Sequence, residues 1–355
     1  MRPGAVWSEA IRSLLTGASR AALWAVLLGA VTLGLATADQ RAVVTLANQA
    51  HTFRDSGAAT WLLHGLGGID PVRCERLVEV EGIRAAGALR PVGKAAFLTA
   101  PATDVALLDA TPGLADVLGV RPSMATAGVW LSESASALLG ANPGTILPTA
   151  SGTVPVVGVY SYPEAAHERG PAHAVLAVNP LTGRYDQCWA TVWPTSEATL
   201  ALLYTAFAGD RSQPPATTQL NQRLGAAFDG HAAFASRVTG VAVFVAAAAG
   251  VLIGVASARA RRLEIASALH ARVPKTALAW QFLIETALWT LAVVVVALPV
   301  TWYNATLGNP DPAMPVWALG MRSVGVGVLA TLSSTLVTVA ATSEHRLFRY
   351  FKDRV

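Results

Sequence analysis

Arg259, Arg261, Arg262, Leu263, Glu264 and Ile265 follow directly on an uncharged apolar stretch, Val238–Ala258, that carries Gly250 and Gly254. The junction sets cations, a carboxylate and apolar knobs side by side at the edge of a bilayer, which is recognition chemistry. Residues for covalent chemistry are scarce. The nearest approach to a phosphate cradle, Gly87 to Gly93-Lys94-Ala95, has the wrong spacing and lacks a magnesium-binding hydroxyl. His167 and His173 share a loop without a third ligand at a metal-site spacing. Ser132, Ser134 and Ser136 form an amphipathic helix start without the glycine-flanked nucleophile turn, and Asn304-Ala305-Thr306, a glycosylation sequon in form, hugs a membrane end and reads as a plain turn. No catalytic, cofactor or metal residues are therefore assigned, and ATP hydrolysis is not expected of this chain.

Two further charges fall inside apolar stretches. Glu285 lies about three helical turns beyond Lys275, and Arg322 a turn or two into the last apolar run. Ionisable residues at such depth are functional suspects, and both are close enough to an interface to snorkel. Interfacial anchoring or intersubunit pairing is the favoured reading, and a substrate path is the other. Ala246, Gly250 and Gly254 form a small-xxx-small face, expected to pack closely against another span, with the first span of a partner subunit as the candidate.

The elements that must position these residues are read from hydropathy. Ala21–Ala38, Val238–Ala258, Phe282–Tyr303 and Val316–Thr342 are each long enough to cross a core of about 30 Å. The hydrophobic fraction of 53% and mean hydropathy of +0.46 agree with an integral membrane protein. The first run, preceded by Arg12 and Arg20 and ending in small residues, also has the form of a signal peptide. Its length, and the odd span count its removal would leave, favour a retained helix.

Charge then orients the chain. Arg2, Arg12 and Arg20, then Arg259, Arg261, Arg262, Arg272 and Lys275, then Arg346, Arg349, Lys352 and Arg354 face only Glu9, Glu264, Glu344 and Asp353 in the same three segments. The turn from Asn304 to Pro315 holds no Lys or Arg, so both termini are expected in the cytoplasm of a cell membrane. From Asp39 to Arg237 acidic residues outnumber basic ones, so the formal charge of +4 comes from the cytoplasmic rims. Those rims suit anionic lipid, a nucleic-acid reading of the basic charge loses its support, and no nucleic-acid partner is expected.

The resulting map is a cytoplasmic amphipathic helix at 1–20, spans at 21–38, 238–258, 276–303 and 316–342, an outer domain at 39–237, a cytoplasmic loop at 259–275, an outer turn at 304–315 and a basic tail at 343–355. The outer region reads as α+β. Asp70-Pro71 opens a helix to Glu81; Gly128–Ser132, Val154–Tyr160, Ala174–Val178 and Cys188–Trp193 are strands; Glu133–Leu139 and Ser196–Phe207 are helices. Asn142-Pro143-Gly144 is a turn, and Thr217–Ala235 is expected to form a polar stalk helix running into the second span. Cys74 and Cys188, the only cysteines, both lie on the outer side; a disulfide is expected there, with two buried thiols as the alternative.

This plan resembles the FtsX-like, or MacB-type, ABC transporter permeases. Arg261-Arg262-Leu263-Glu264-Ile265 is similar to the family's Arg-Arg-x-Glu-Ile element, followed by Ala266, Ala268, Leu269 and a span carrying Glu285. Val129-Trp130-Leu131-Ser132, Ala137-Leu138-Leu139-Gly140, Pro143-Gly144-Thr145 and Val156-Val157-Gly158-Val159 are similar to the MacB-type periplasmic core series, and Trp7–Ser19 to the family's interfacial helix. Arg272-Val273-Pro274 departs from the family's Gly-Ala pair and implies a differently shaped turn.

The resemblance implies four transmembrane helices with an α+β extracytoplasmic domain between spans 1 and 2. It makes Arg261, Arg262, Leu263, Glu264, Ile265, Ala268, Leu269 and Arg272 a coupling helix that docks on a cytosolic ATPase, the subunit that binds ATP and Mg²⁺. It further implies a dimer, with itself or a sister permease, that transmits ATPase motion for export or extraction of a hydrophobic or peptide-like molecule. The alternative is an FtsX-like scaffold that regulates a cell-wall hydrolase without transport.

Overall fold

The computed structural model describes residues 3–343 apart from 18, 102, 121–127, 150–151, 164–165, 180, 211 and 213. Arg2 and the basic tail beyond residue 343 lie outside the described residues. The chain divides into two compact units, 1–49 with 230–355, and 50–229.

In the first unit the helices are α1 (Pro3–Leu15) and α2 (Ala21–Asp55), and after residues 50–229 come α7 (Gly230–Ala235), α8 (Ala242–Ala260), α9 (Arg262–His270), α10 (Lys275–Thr306) and α11 (Ala313–Ala341). Helices α2, α8, α10 and α11 are each long and apolar enough to cross a membrane. Val26, Leu252, Leu329 and Val337 stand on the outside of this bundle, each about two-thirds exposed (68%, 69%, 66% and 68%). Large aliphatic side chains left bare all round a bundle suit lipid and not water. The chain is a multi-pass membrane protein.

The helices outrun the apolar stretches that announced them, because hydropathy marks a span and not a helix end. Helix α2 has 35 residues, and no Gly or Pro interrupts it after Gly34 until Gly57. Polar side chains of its second half stitch it to its neighbours. Gln40 Nε2 donates to the carbonyls of Thr301 (3.0 Å) and Val316 (3.1 Å) and fills the space left by Gly320. Arg41 donates to the Leu307 carbonyl and Asn304 Oδ1, and Asn48 to the Gly308 carbonyl. Asp39 and Arg237 form a buried ion pair at 2.9 Å.

Ala246, Gly250 and Gly254 lie on one buried line of α8, and their partner is α11 of the same chain. A Cβ at Gly250 would run into the Gly327 carbonyl, and one at Gly254 into Ser334 and the Thr331 carbonyl. Gly327 in turn meets Ala246 and Thr32. This corrects the expectation of a partner subunit: the small-residue face is spent inside the chain, because α8 and α11 are both small-faced and reach backbone contact.

The second unit holds β1 (Thr60–Ile69), α3 (Pro71–Arg76), β2 (Ile83–Ala96), β3 (Asp104–Ala110), α4 (Leu114–Val117), β4 (Val129–Ser132), α5 (Glu133–Leu139), β5 (Ile146–Thr149), β6 (Gly152–Tyr160), β7 (Ala174–Val178), β8 (Tyr185–Val192), α6 (Glu197–Leu203) and β9 (Ala216–Gln219). Among the described residues they form a mixed sheet in the order β5-β6-β4-β7-β3-β2-β8-β1-β9. The β3–β7 and β4–β6 pairs are parallel and the others antiparallel. Local chemistry starts the helices: the Asp70 carboxylate caps α3 ahead of Pro71, and Ser132 and Ser196 cap α5 and α6. Leu62, Leu89, Leu176 and Trp189 fill one core, and Leu63, Cys74, Tyr185, Cys188 and Leu203 another.

Cys74 of α3 and Cys188 of β8 are bridged, with Cα atoms 5.8 Å apart and both residues fully buried. The expected stalk helix over Thr217–Ala235 is not formed. Ala216–Gln219 instead pairs with β1 as the sheet's edge strand, and only Gly230–Ala235 is helical. The β-branched Thr217 and Thr218 complete a ladder that β1 would otherwise leave open, a long-range gain that local polarity cannot show.

Candidate functional site

Helix α9 and the ends of α8 and α10 meet at the end of the bundle away from the inserted domain's attachment. Arg261 sits between α8 and α9 with its side chain only 8% exposed. Its Nε and Nη2 donate to the two carboxylate oxygens of Glu264 at 2.7 and 2.5 Å, and its Nη1 donates to Glu285 Oε2. Glu285, 3% exposed at the side chain, also accepts from Gln281 Nε2 at 3.1 Å. The guanidinium lies over the Phe282 ring, 4.4 Å from its centroid. Burial alone would push this guanidinium down; the hydrogen bonds and charges of Glu264 and Glu285 outweigh burial and hold it above its ordinary value.

Below this ion cluster Ile265 and Leu269 pack with Ala258, Leu278, Phe282 and Val339, with Ala268 and Val273 alongside. The expected docking surface is therefore corrected at three positions. Arg261, Ile265 and Leu269 point into the bundle, because together they neutralise a buried carboxylate and cover three helix ends. Arg262 and Leu263 are half-buried, and the exposed face of α9 carries Glu264, Ser267 and His270, followed by Arg272.

Arg272 takes a left-handed backbone, φ 57°, while its N–H bonds the Leu269 carbonyl and that of Val273 bonds Ala268. This is the helix stop that glycine ordinarily supplies. The turn thus has the left-handed geometry that glycine ordinarily takes, with an arginine in it.

Glu285 is paired within its own chain, which replaces the expected anchoring or intersubunit role. Arg322 stands exposed on α11. In the inserted domain Ser134 Oγ lies 2.7 Å from His173 Nδ1, a pairing of distant residues with no spacing signal in the sequence. The same hydroxyl donates to the Ala172 carbonyl at 2.7 Å, so it accepts from the imidazole and is not activated by it. Burial raises the hydroxyls of Tyr160 and Tyr162 well above the usual range, with the neighbouring Tyr162 and Glu168 adding respectively to each. Among the described residues no group of three or more His, Cys, Asp or Glu could hold a metal ion.

The sequence matches no protein-family model and no curated protein. Solved structures do show likeness. The chain is similar to the periplasmic region of MacB from Actinobacillus actinomycetemcomitans at 14% identity and a TM-score of 0.35, covering 47% of this chain and 91% of that one. It is similar, also at 14% identity, to a domain of a putative permease protein from Porphyromonas gingivalis, with a TM-score of 0.34 and coverage of 47% and 91%. The extracellular domain of the ABC-type transporter YknZ from Gram-positive bacteria aligns at 14% identity and a TM-score of 0.32 over 46% of this chain and 100% of that one. Likeness at this level assigns neither activity nor partner.

Proposed function

We propose that this chain is a permease subunit of a bacterial ABC complex of the MacB/FtsX type. It passes ATPase-driven motion from α9 through the helix bundle to the inserted domain, for export or extraction of a hydrophobic or peptide-like molecule. The observation that carries this reading is the ion cluster, in which one guanidinium ties α9 through Glu264 and α10 through Glu285 to the end of α8. A loop that only rests on lipid has no need of such fixation; a lever does. A push on α9 then displaces two spans together, and α2, helical without a break from Ala21 to Asp55, is stiff enough to carry motion past the bilayer.

The excess of basic residues at the α9 end supports a cytoplasmic position for that end and for both termini, with the inserted domain outside. The working assembly pairs this chain with a second copy or a sister permease, each bound to a cytosolic ATPase subunit that holds ATP and Mg²⁺. Glu264, Ser267, His270 and Arg272 form the face that meets the ATPase. The test is coexpression with a cytosolic ABC ATPase that copurifies with the chain. His270→Glu with Arg272→Glu should lower permease-stimulated ATP turnover by about fivefold or more while membrane insertion and Tm stay as in the wild type. Unchanged stimulated turnover would remove the coupling assignment.

A further inference from the structure

Helix α11 carries one ionisable residue, Arg322, and it lies on an exposed face. The helix has 29 residues, about 43 Å at 1.5 Å per residue, against a hydrocarbon core of about 30 Å. Arg322 lies about 14 Å along it from Ala313, several ångströms inside the core on the side where residues 50–229 are inserted. A cation at that depth reaches for the interface and for a counter-charge there. The described carboxylates of this unit are already committed: Glu9 to Arg12, Asp39 to Arg237, and Glu264 and Glu285 to Arg261. Asp311, in the turn beyond the bundle, is engaged as well.

The shape of the face names a different source. Side chains on a helix lean toward its N-terminus, so Arg322 is aimed along α11 toward the domain-side interface. One turn in that direction lies exposed Ala318, small enough for the arginine stem to lie over it. One turn in the other direction lies Gly325, beside which there is open space, and then Leu329, 66% exposed. A basic head near the interface, followed inward by a bare notch and an aliphatic side chain, matches a phosphate and the start of an acyl chain.

We infer that Arg322, Gly325 and Leu329 form a binding site for one phospholipid of the domain-side leaflet, with Arg322 on the headgroup phosphate and the acyl chain along Gly325 and Leu329. The site is independent of the permease reading.

The experiment uses the full chain, delipidated in detergent, with thermal unfolding as the readout. Dioleoylphosphatidylglycerol should raise the Tm of the wild type. Dioleoylglycerol, with the same chains and no phosphate, and inorganic phosphate alone should not. Arg322→Gln should need about fivefold more phosphatidylglycerol for the same shift, and Arg322→Lys should retain most of the response. Gly325→Leu keeps the charge and fills the notch, and should also lose the response, which covers the case in which Arg322→Gln does not fold. The proposal is overturned if dioleoylglycerol or inorganic phosphate matches the phospholipid, or if Gly325→Leu and every folded Arg322 variant respond as the wild type does.

Discussion

Arg261 ties α8, α9 and α10 together through two carboxylates. Removing one member of a buried pair strands the other, so Arg261→Met should destabilise the bundle by about 3–5 kcal/mol. Arg261→Met with Glu285→Met removes both charges and should recover much of that loss. A double-mutant cycle on unfolding in detergent measures it, and strict additivity would mean the two groups act separately. Arg272 makes the opposite case, a residue tolerated against its backbone. Arg272→Gly relieves the left-handed conformation of an L-residue, partly offset by the greater chain freedom of glycine, and should be neutral or stabilising by up to about 1 kcal/mol. A clear loss of Tm would show that the guanidinium, and not the turn, sets stability there.

Among the elements, α8 and α11 depend on absent side chains. Gly254→Leu would push into Ser334 and the Thr331 carbonyl and should cost about 1–3 kcal/mol or unseat the helix, whereas Val251→Leu on the exposed face of α8 should leave Tm unchanged. In the inserted domain the Cys74–Cys188 bridge joins α3 to β8 across a sequence separation of 114. Chain entropy assigns such a loop about 4–5 kcal/mol, so reductant at denaturing temperature should lower the domain's transition markedly. Tyr160 and Tyr162 add a pH limit. Their hydroxyls donate to the carbonyls of Pro171 and Glu168, both at 2.7 Å, and burial raises their folded-state pKa. The stability tied to these protonated phenols is whole below about pH 10 and is lost as pH rises above it, because only the unfolded chain ionises there. A Tm series across alkaline pH reads that decline directly.

At the scale of the whole molecule, four spans put α1 and α9 on one side of the membrane and the α10–α11 turn on the other. The two native cysteines are bridged and buried, so they form a silent background for labelling. Cysteines introduced at Ser267 and at Pro310 should react with an impermeant reagent from opposite faces, Pro310→Cys from outside in intact cells. Labelling of both from the same side would remove the four-span topology.

The number of spans, the place of the inserted domain, the basic rim and the starts of α3, α5 and α6, to within a residue, were all legible in the one-dimensional sequence. Each depends on composition or on neighbours within a few residues, and such terms add up along the chain. The cysteine pair was legible too, since only two candidates exist. What tertiary structure decided is direction and partnership. Leu263, Ile265, Ala266, Ala268 and Leu269 are spread around α9, so no apolar stripe declares which side faces inward; contact with Leu278, Phe282 and Val339 chooses Ile265 and Leu269. A glycine face shows that something packs closely and not which helix, and α11 supplies the answer through Gly327, Thr331 and Ser334. Thr217 and Thr218 become a strand only because β1, far away in sequence, offers an open ladder. Hydropathy and capping are local energies, whereas helix azimuth, strand pairing and the burial of Glu285 under Arg261 exist only once distant segments meet.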